Sequence, residues 1–185
     1  MLDLAVIGAG PCGLAVGVAA KQARLTCSLF DKGPVVASLM RYPLYMTFFS
    51  TPEKLEIGGV PFVTAAEKPS RREALAYYRK VAEYFELDVR QYHEVRRVAR
   101  ARDGFELTAH HPGKTEPERV VARNLIYATG YFESPNPLGV PARSWRTCRT
   151  SSSRPTPTGS SASSWSAGGT ARSKRPSSCT ASARE

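Results

Sequence analysis

Leu4 to Ile7 form a short unbroken apolar run, the pattern of a strand buried on both faces. Three glycines then interrupt the chain, and an alanine-rich stretch follows. There Ala15, Ala19 and Ala20 keep one helical face small enough to lie against a sheet. Pro11 falls in the first turn of that helix, where its missing N–H costs little. Residues 26–30 predict a second strand, and Leu125 to Ala128 predict another, closed by Thr129 and Gly130. Between them, residues 69–87 predict a helix. Ser70 and Glu73 stand at capping-box spacing, and Leu75, Tyr78, Val81, Ala82 and Phe85 make one apolar stripe. Residues 88–100, 104–110 and 118–124 alternate as strands, with turns at Arg102-Asp103-Gly104 and at His111 to Lys114. The order predicts an α/β fold: a Rossmann-like half-domain with a parallel sheet and a small antiparallel meander, covering residues 1–141.

The glycines carry the first chemistry. Gly8, Gly10 and Gly13 make G-x-G-x-x-G between the first strand and the first helix. The first allows a tight turn, the second lets a diphosphate approach the backbone, and the third lets helix and strand pack closely. The second strand ends at Asp31, 18 residues after Gly13. A carboxylate there can accept hydrogen bonds from the ribose hydroxyls of an adenine dinucleotide. Gly8, Ala9, Gly10, Pro11, Cys12, Gly13, Asp31 and Lys32 are therefore the predicted dinucleotide contacts. His93 sits at a strand edge, and His110-His111 stands beside Pro112-Gly113 at a hairpin tip. With no Cys or paired carboxylate nearby they predict a solvated turn and no metal site.

Charge changes the picture only at one end. The chain has 26 basic and 16 acidic residues, a formal net charge of +10, but eight of the basic residues and one acid lie within residues 142–185. The excess therefore belongs mainly to that tail and gives little reason to expect nucleic acid as a partner. Cys12, Cys27, Cys148 and Cys179 form no CxxC pair and no zinc knuckle, which fits a reduced, cytoplasmic setting. No apolar stretch approaches the ~20 residues needed to span a bilayer, so no membrane is expected.

At residues 6–15, 31–63, 68–85 and 128–141 the chain resembles the bacillithiol disulfide reductases (YpdA-like), relatives of thioredoxin reductase. The block "TFFSTPEKLEIGGVPF" carries the resemblance far more specifically than the glycine motif does. It implies an FAD- and NADPH-dependent oxidoreductase that reduces a low-molecular-weight disulfide. Hydride would pass from NADPH to FAD, and electrons from the flavin to the disulfide. The hydrophobic run ending in Ala128-Thr129-Gly130 resembles the flavoprotein side of the two-dinucleotide-domain enzymes, which adds Thr129 and Gly130 to the FAD contacts. The aromatic and small-polar run from Arg41 to Gly59 is expected to wall the flavin ring, with Thr47 and Ser50 as its polar contacts. Cys12 matches the family's distinctive cysteine and is the candidate catalytic residue. A helix N-terminus favours its thiolate while a bound diphosphate opposes it, and a small packing residue in a crowded turn is the alternative. Homo-oligomers occur in such families; the residues themselves give no oligomeric state.

Residues 142–185 contain no Val, Ile, Leu, Met, Phe or Tyr, and are expected to be disordered. Their codons suggest an origin. Read one frame over, Ala162 to Ser166 must yield apolar residues if serine is encoded by TCN, and Trp165-Ser166 then yields Val. Continuing to Lys174 permits V-V-V-V-G-G-G-N-S-A-V-E, a strand entering a dinucleotide turn. The tail is thus expected to be a frameshifted remnant of the NADPH-binding domain, and the chain a truncated fragment without turnover. A natural Ser/Arg low-complexity tail is the rival origin. Two other functions stand as alternatives: a flavin monooxygenase-like enzyme, and a non-catalytic basic protein binding through its tail.

Overall fold

The structure, a computed structural model, describes residues 1–131. The expectations for residues 132–185, the tail among them, lie outside the described residues. One six-stranded sheet organises the rest. Its strands are β1 (Leu2–Ile7), β2 (Cys27–Phe30), β3 (Asp88–Arg90), β4 (Glu94–Ala101), β5 (Gly104–His110) and β6 (Glu118–Tyr127), in the order β3-β2-β1-β6-β5-β4. β1 pairs in parallel with β2 on one side and with β6 on the other, and β3 extends the parallel half. β4, β5 and β6 are antiparallel neighbours.

Two differences from the sequence pattern concern how this sheet is built. Residues 118–124 and 125–128 predict two separate strands, yet β6 is continuous from Glu118 to Tyr127. It changes partner at Ala122, pairing with β5 before it and with β1 from it onward. A single strand can serve both neighbours because each uses a different stretch of its length, and no glycine or proline interrupts "ARNLIY". Conversely, residues 88–100 divide into β3 and β4 at Gln91 to His93, where Tyr92 takes a left-handed φ of 59°.

Four helices complete the described chain: α1 (Pro11–Gln22), α2 (Ala37–Met40), α3 (Pro52–Leu55) and α4 (Arg71–Tyr84). α1 and α4 cover one sheet face, where Leu4, Val6, Leu14, Val18, Leu29, Val81 and Tyr78 form the main core. On the other face Ala5, Phe30, Leu107, Ala109 and Ala122 pack under the antiparallel strands. The buried side of α1 is Gly13, Leu14, Gly17, Val18 and Ala20; Ala19 is exposed and Ala15 half-buried, contrary to the alanine pattern. In the middle of the helix Gly17, not an alanine, lets the sheet come near, because a β-carbon there would lie 3.0 Å from Leu29. On α4 the capping box between Ser70 and Glu73 is present, and the buried side is Ala74, Tyr77, Tyr78, Val81 and Ala82. The stripe is thus centred one position before Leu75. No helix of the described residues is long and apolar enough to cross a membrane.

The two tyrosines of α4 hold the segment that follows α3. Tyr77 donates to the Val60 carbonyl at 2.7 Å and Tyr78 to the Leu55 carbonyl at 3.0 Å, while Phe62 stacks on Tyr77 at 4.2 Å. Burial pushes the Tyr78 phenol up to about 12, with Tyr77 and Cys12 adding to the rise. The unfolded phenol ionises near pH 10 while the folded one resists, so this contribution to stability is complete below pH 10 and is lost as pH climbs toward 12. Urea midpoints measured across that window should fall with pH, and fall less steeply in a Tyr78→Phe chain. Equal slopes would contradict the assignment.

Candidate functional site

The site lies where β1, β2 and β6 end together. The chain leaves β1 toward β2 on one side while β6 lies on the other, the switch point at which open α/β sheets bind ligands. Gly8 closes β1 with φ +111°, donates to the Phe30 carbonyl at 2.7 Å, and lies so near β6 that a β-carbon would meet the Ala128 oxygen at 2.2 Å. Gly13 stands equally tight, 2.0 Å from the Gly8 oxygen by the same construction. Gly10 is different. Its backbone is extended, and a β-carbon there would meet only Ser38 Oγ, at 3.7 Å, among the described residues. Two glycines therefore close the turn, and the third leaves open space above it.

α1 starts from this turn with Pro11 in its first turn, no side-chain cap and no acidic residue in that turn. The positive end of the helix is left for an anion from outside, as a diphosphate requires. Asp31, just past β2, joins the glycine turn to its surroundings. One carboxylate oxygen accepts from the Ala9 amide at 2.8 Å and the other from the Gly33 amide at 2.8 Å. Its backbone accepts from His93 and donates to the Arg90 carbonyl. Each carboxylate oxygen has two lone pairs, so both keep capacity for a hydroxyl donor such as a ribose. Lys32 is exposed beside it. The residues fit a bound dinucleotide: an open cradle at Gly10, an uncompensated helix N-terminus and a carboxylate oriented at the turn.

The other predicted residues are placed as follows. Thr129 and Gly130 are exposed just beyond β6, Gly130 with φ +83°. Thr47 is exposed and forms an isolated antiparallel bridge with Ser70, and Ser50 is half-buried on the same loop. Of the loop's aromatics, Tyr45 and Phe49 are 96% and 90% exposed, whereas Tyr42 and Phe48 pack against the core. Cys12 is exposed on α1, whereas Cys27 is half-buried and burial, with Asp88 adding, pushes its thiol up to about 11. Iodoacetamide should therefore modify Cys12 in the folded chain and Cys27 only after denaturation, as peptide mass mapping would read. Early labelling of Cys27 would contradict this.

Three features were not visible in the sequence. Val36 is fully buried in the left-handed region, φ 54°, and donates to the Ala9 carbonyl at 2.9 Å. For a β-branched residue this conformation costs on the order of 1–2 kcal/mol, offset by the packing around it. Ser38 follows it and faces Gly10. His93 and His111, expected at a strand edge and a solvated tip, are in ring contact at 4.8 Å, with His93 Nε2 3.5 Å from Glu118. The hairpin folds His111 back over the β3–β4 junction, so neither ring is free in solvent. Among the described residues no group of His, Cys, Asp and Glu is placed to hold a metal.

A family model described as pyridine nucleotide-disulphide oxidoreductase matches residues 5–159. The bacilliredoxin reductase Bdr of Bacillus subtilis is 40% identical over 136 residues, covering 74% of this chain and 40% of that protein. The solved bacillithiol disulfide reductase Bdr (YpdA) from Bacillus cereus superposes with a TM-score of 0.73 at 34% identity, over 78% of this chain and 44% of that one. Its counterpart from Staphylococcus aureus gives 0.69 at 36% identity, over 76% and 42%. The chain thus spans well under half the length of these relatives. Within that span the fold, the glycine turn and the family model agree, and the chain belongs to the pyridine nucleotide-disulphide oxidoreductase family.

Proposed function

We propose that residues 1–141 are the FAD-binding part of an NADPH-using reductase of a low-molecular-weight disulfide of the bacillithiol type. One observation carries the reading: the Asp31 carboxylate lies 2.8 Å from the Ala9 amide, with open space over Gly10 beside it. Acid, turn and helix end then face one ligand, an adenine dinucleotide whose diphosphate rests against the backbone. When bound, FAD supplies the acceptance of hydride and its release as electrons. This chain's residues bind and orient. The amides opening α1 receive the diphosphate, Asp31 accepts from the ribose, and Thr47, Ser50, Thr129 and Gly130 line the flavin end. Cys12 stands at the helix start as the candidate thiol of the site.

The 185 residues contain one G-x-G-x-x-G and no second dinucleotide motif. A polypeptide of these residues alone is expected to bind FAD without oxidising NADPH. Residues 142–185 are the out-of-frame reading of the NADPH domain, and the gene's codons at 162–175 test that origin. The relatives' names point to two electron acceptors, a bacillithiol disulfide and a bacilliredoxin. The small disulfide is the acceptor proposed here. The experiment is to fuse residues 1–141 to the remaining part of the Bacillus subtilis relative and follow NADPH oxidation with each acceptor. Turnover with the small disulfide supports the reading; turnover with the redoxin alone, or none by a chimaera that has bound FAD, rejects it.

A further inference from the structure

The outer face of the antiparallel strands carries a polar row that the cofactor site does not use. Leu107 and Ala109 of β5 point inward and are fully buried, so Glu106 and Thr108, which alternate with them, point outward. Thr108 lies in register with Arg97 on β4 and with Arg119 on β6, and the three share the outer face in one cross-strand row. A bulge sets this register. Arg96 is the extra residue between the Val95–Ala109 and Arg97–Thr108 pairs, and Glu94 takes it up at 2.8 Å. Arg97 is thereby left exposed opposite Thr108. Among the described residues neither the Arg97 guanidinium nor the Thr108 hydroxyl has a polar partner, and Arg119 meets only Glu106, at 3.8 Å. Arg97, Ala99, Glu106, Thr108 and Arg119 line an open cup of about 280 Å³, its depth left by the short side chains of Ala99 and Thr108.

We propose that this cup binds the phosphoryl group of a small hydroxylated phosphomonoester, held by Arg97, Thr108 and Arg119. It shares no residue with the glycine turn, and its occupancy does not depend on FAD. Arg97 and Arg119 stand two strands apart, roughly 10 Å between backbones, so their long side chains can close on one group above Thr108. A carboxylate has two oxygens, and one guanidinium fork takes both. A phosphoryl group offers three, which suits two forks with a hydroxyl between them. The two arginines also repel each other across Thr108, and an anion between them removes that cost. Glu106, one wall of the cup, opposes a bare dianion but can accept from a hydroxyl beside the phosphoryl group. This selects the ester of a polyol over the free ion. The volume lies just under the ~300–1,000 Å³ of pockets for drug-sized ligands, so the ester is small.

Nuclear magnetic resonance of the full 185-residue chain tests this, with inorganic phosphate and glucose 6-phosphate titrated at constant ionic strength. The Nε–H signals of Arg97 and Arg119 are assigned from the variants below, and they keep the cup apart from the anion site at the start of α1. Both signals and the Thr108 amide should move with one midpoint, while Arg102, exposed in the turn between β4 and β5, stays still. Glucose 6-phosphate should have the lower midpoint. Arg97→Lys and Arg119→Lys should each raise it about tenfold, the scale of one hydrogen bond to a charged acceptor, although the charge is kept. Thr108→Val should raise it about fivefold, and Glu106→Gln should lower the midpoint for inorganic phosphate about threefold. Both arginines are exposed, so their variants carry the test even if Thr108→Val does not fold. Equal shifts at Arg102, midpoints unmoved by Arg97→Lys, or separate midpoints for the two arginines overturn the inference. Inorganic phosphate bound as tightly as the ester overturns the choice of ligand.

Discussion

Replacing Gly13 by alanine is expected to destroy the fold of the site, whereas replacing Gly10 by alanine is expected to leave the fold intact and remove the ligand. A β-carbon at Gly13 would sit 2.0 Å from a backbone oxygen of Gly8. Neither partner is the flexible end of a side chain, so α1 must move off β1. A buried clash of this kind belongs with the changes that cost about 3 kcal/mol or more. That is a large part of what a domain of this size has in reserve. Gly8→Ala should behave like Gly13→Ala, with the added strain of φ +111°. At Gly10 the backbone is one any residue adopts, and the nearest atom is Ser38 Oγ at 3.7 Å. The methyl group occupies the space a diphosphate needs. The urea midpoint should therefore move little, while FAD affinity falls about a hundredfold, which corresponds to roughly 2.7 kcal/mol of binding. Equal stability losses at Gly10 and Gly13 would contradict the division of labour between them.

The second large effect belongs to Asp31. Removing its carboxylate in Asp31→Ala strands two backbone amides, those of Ala9 and Gly33, in a half-buried turn. Each unmet donor costs about 1–3 kcal/mol, so the chain should lose on the order of 2 kcal/mol or more of stability together with its cofactor. Asp31→Asn separates the two roles. It keeps one oxygen acceptor and should retain more of the stability than alanine does. It loses the charge and the second acceptor, so the ribose contact should weaken about tenfold. Denaturation midpoints and FAD titrations on the two variants check this. If Asp31→Ala leaves both unchanged, the carboxylate is not the hub that its bonds describe.

What could be read from the sequence divides by distance along the chain. The glycine turn was legible because its requirements are local: a strand of four apolar residues, three glycines and a proline within the next turn. Asp31 was legible because the helix between it and Gly13 fixes the return distance. The capping box of α4 needs only Ser70 and Glu73. The buried side of α1 was read only in part: Ala20 is buried as expected, but Ala19 is exposed and Gly17 is what lets Leu29 approach. The join of two strand segments into β6 depends on which neighbour pairs with which half, and that is a property of the sheet. Val36 and Ser38 were invisible for the same reason. Their meaning comes from the contact of residues 36–38 with residues 9–10. The pairing of His93 with His111 likewise requires a hairpin to fold over a strand end 18 residues earlier.

The most direct test is a titration of the purified 185-residue chain with FAD, followed by flavin fluorescence and by its visible absorption band. Saturable binding of one FAD per chain is expected, weakened about a hundredfold in Gly10→Ala and competed by ADP. Absence of saturable binding by a chain that melts cooperatively, or binding that survives Gly10→Ala unchanged, would contradict it.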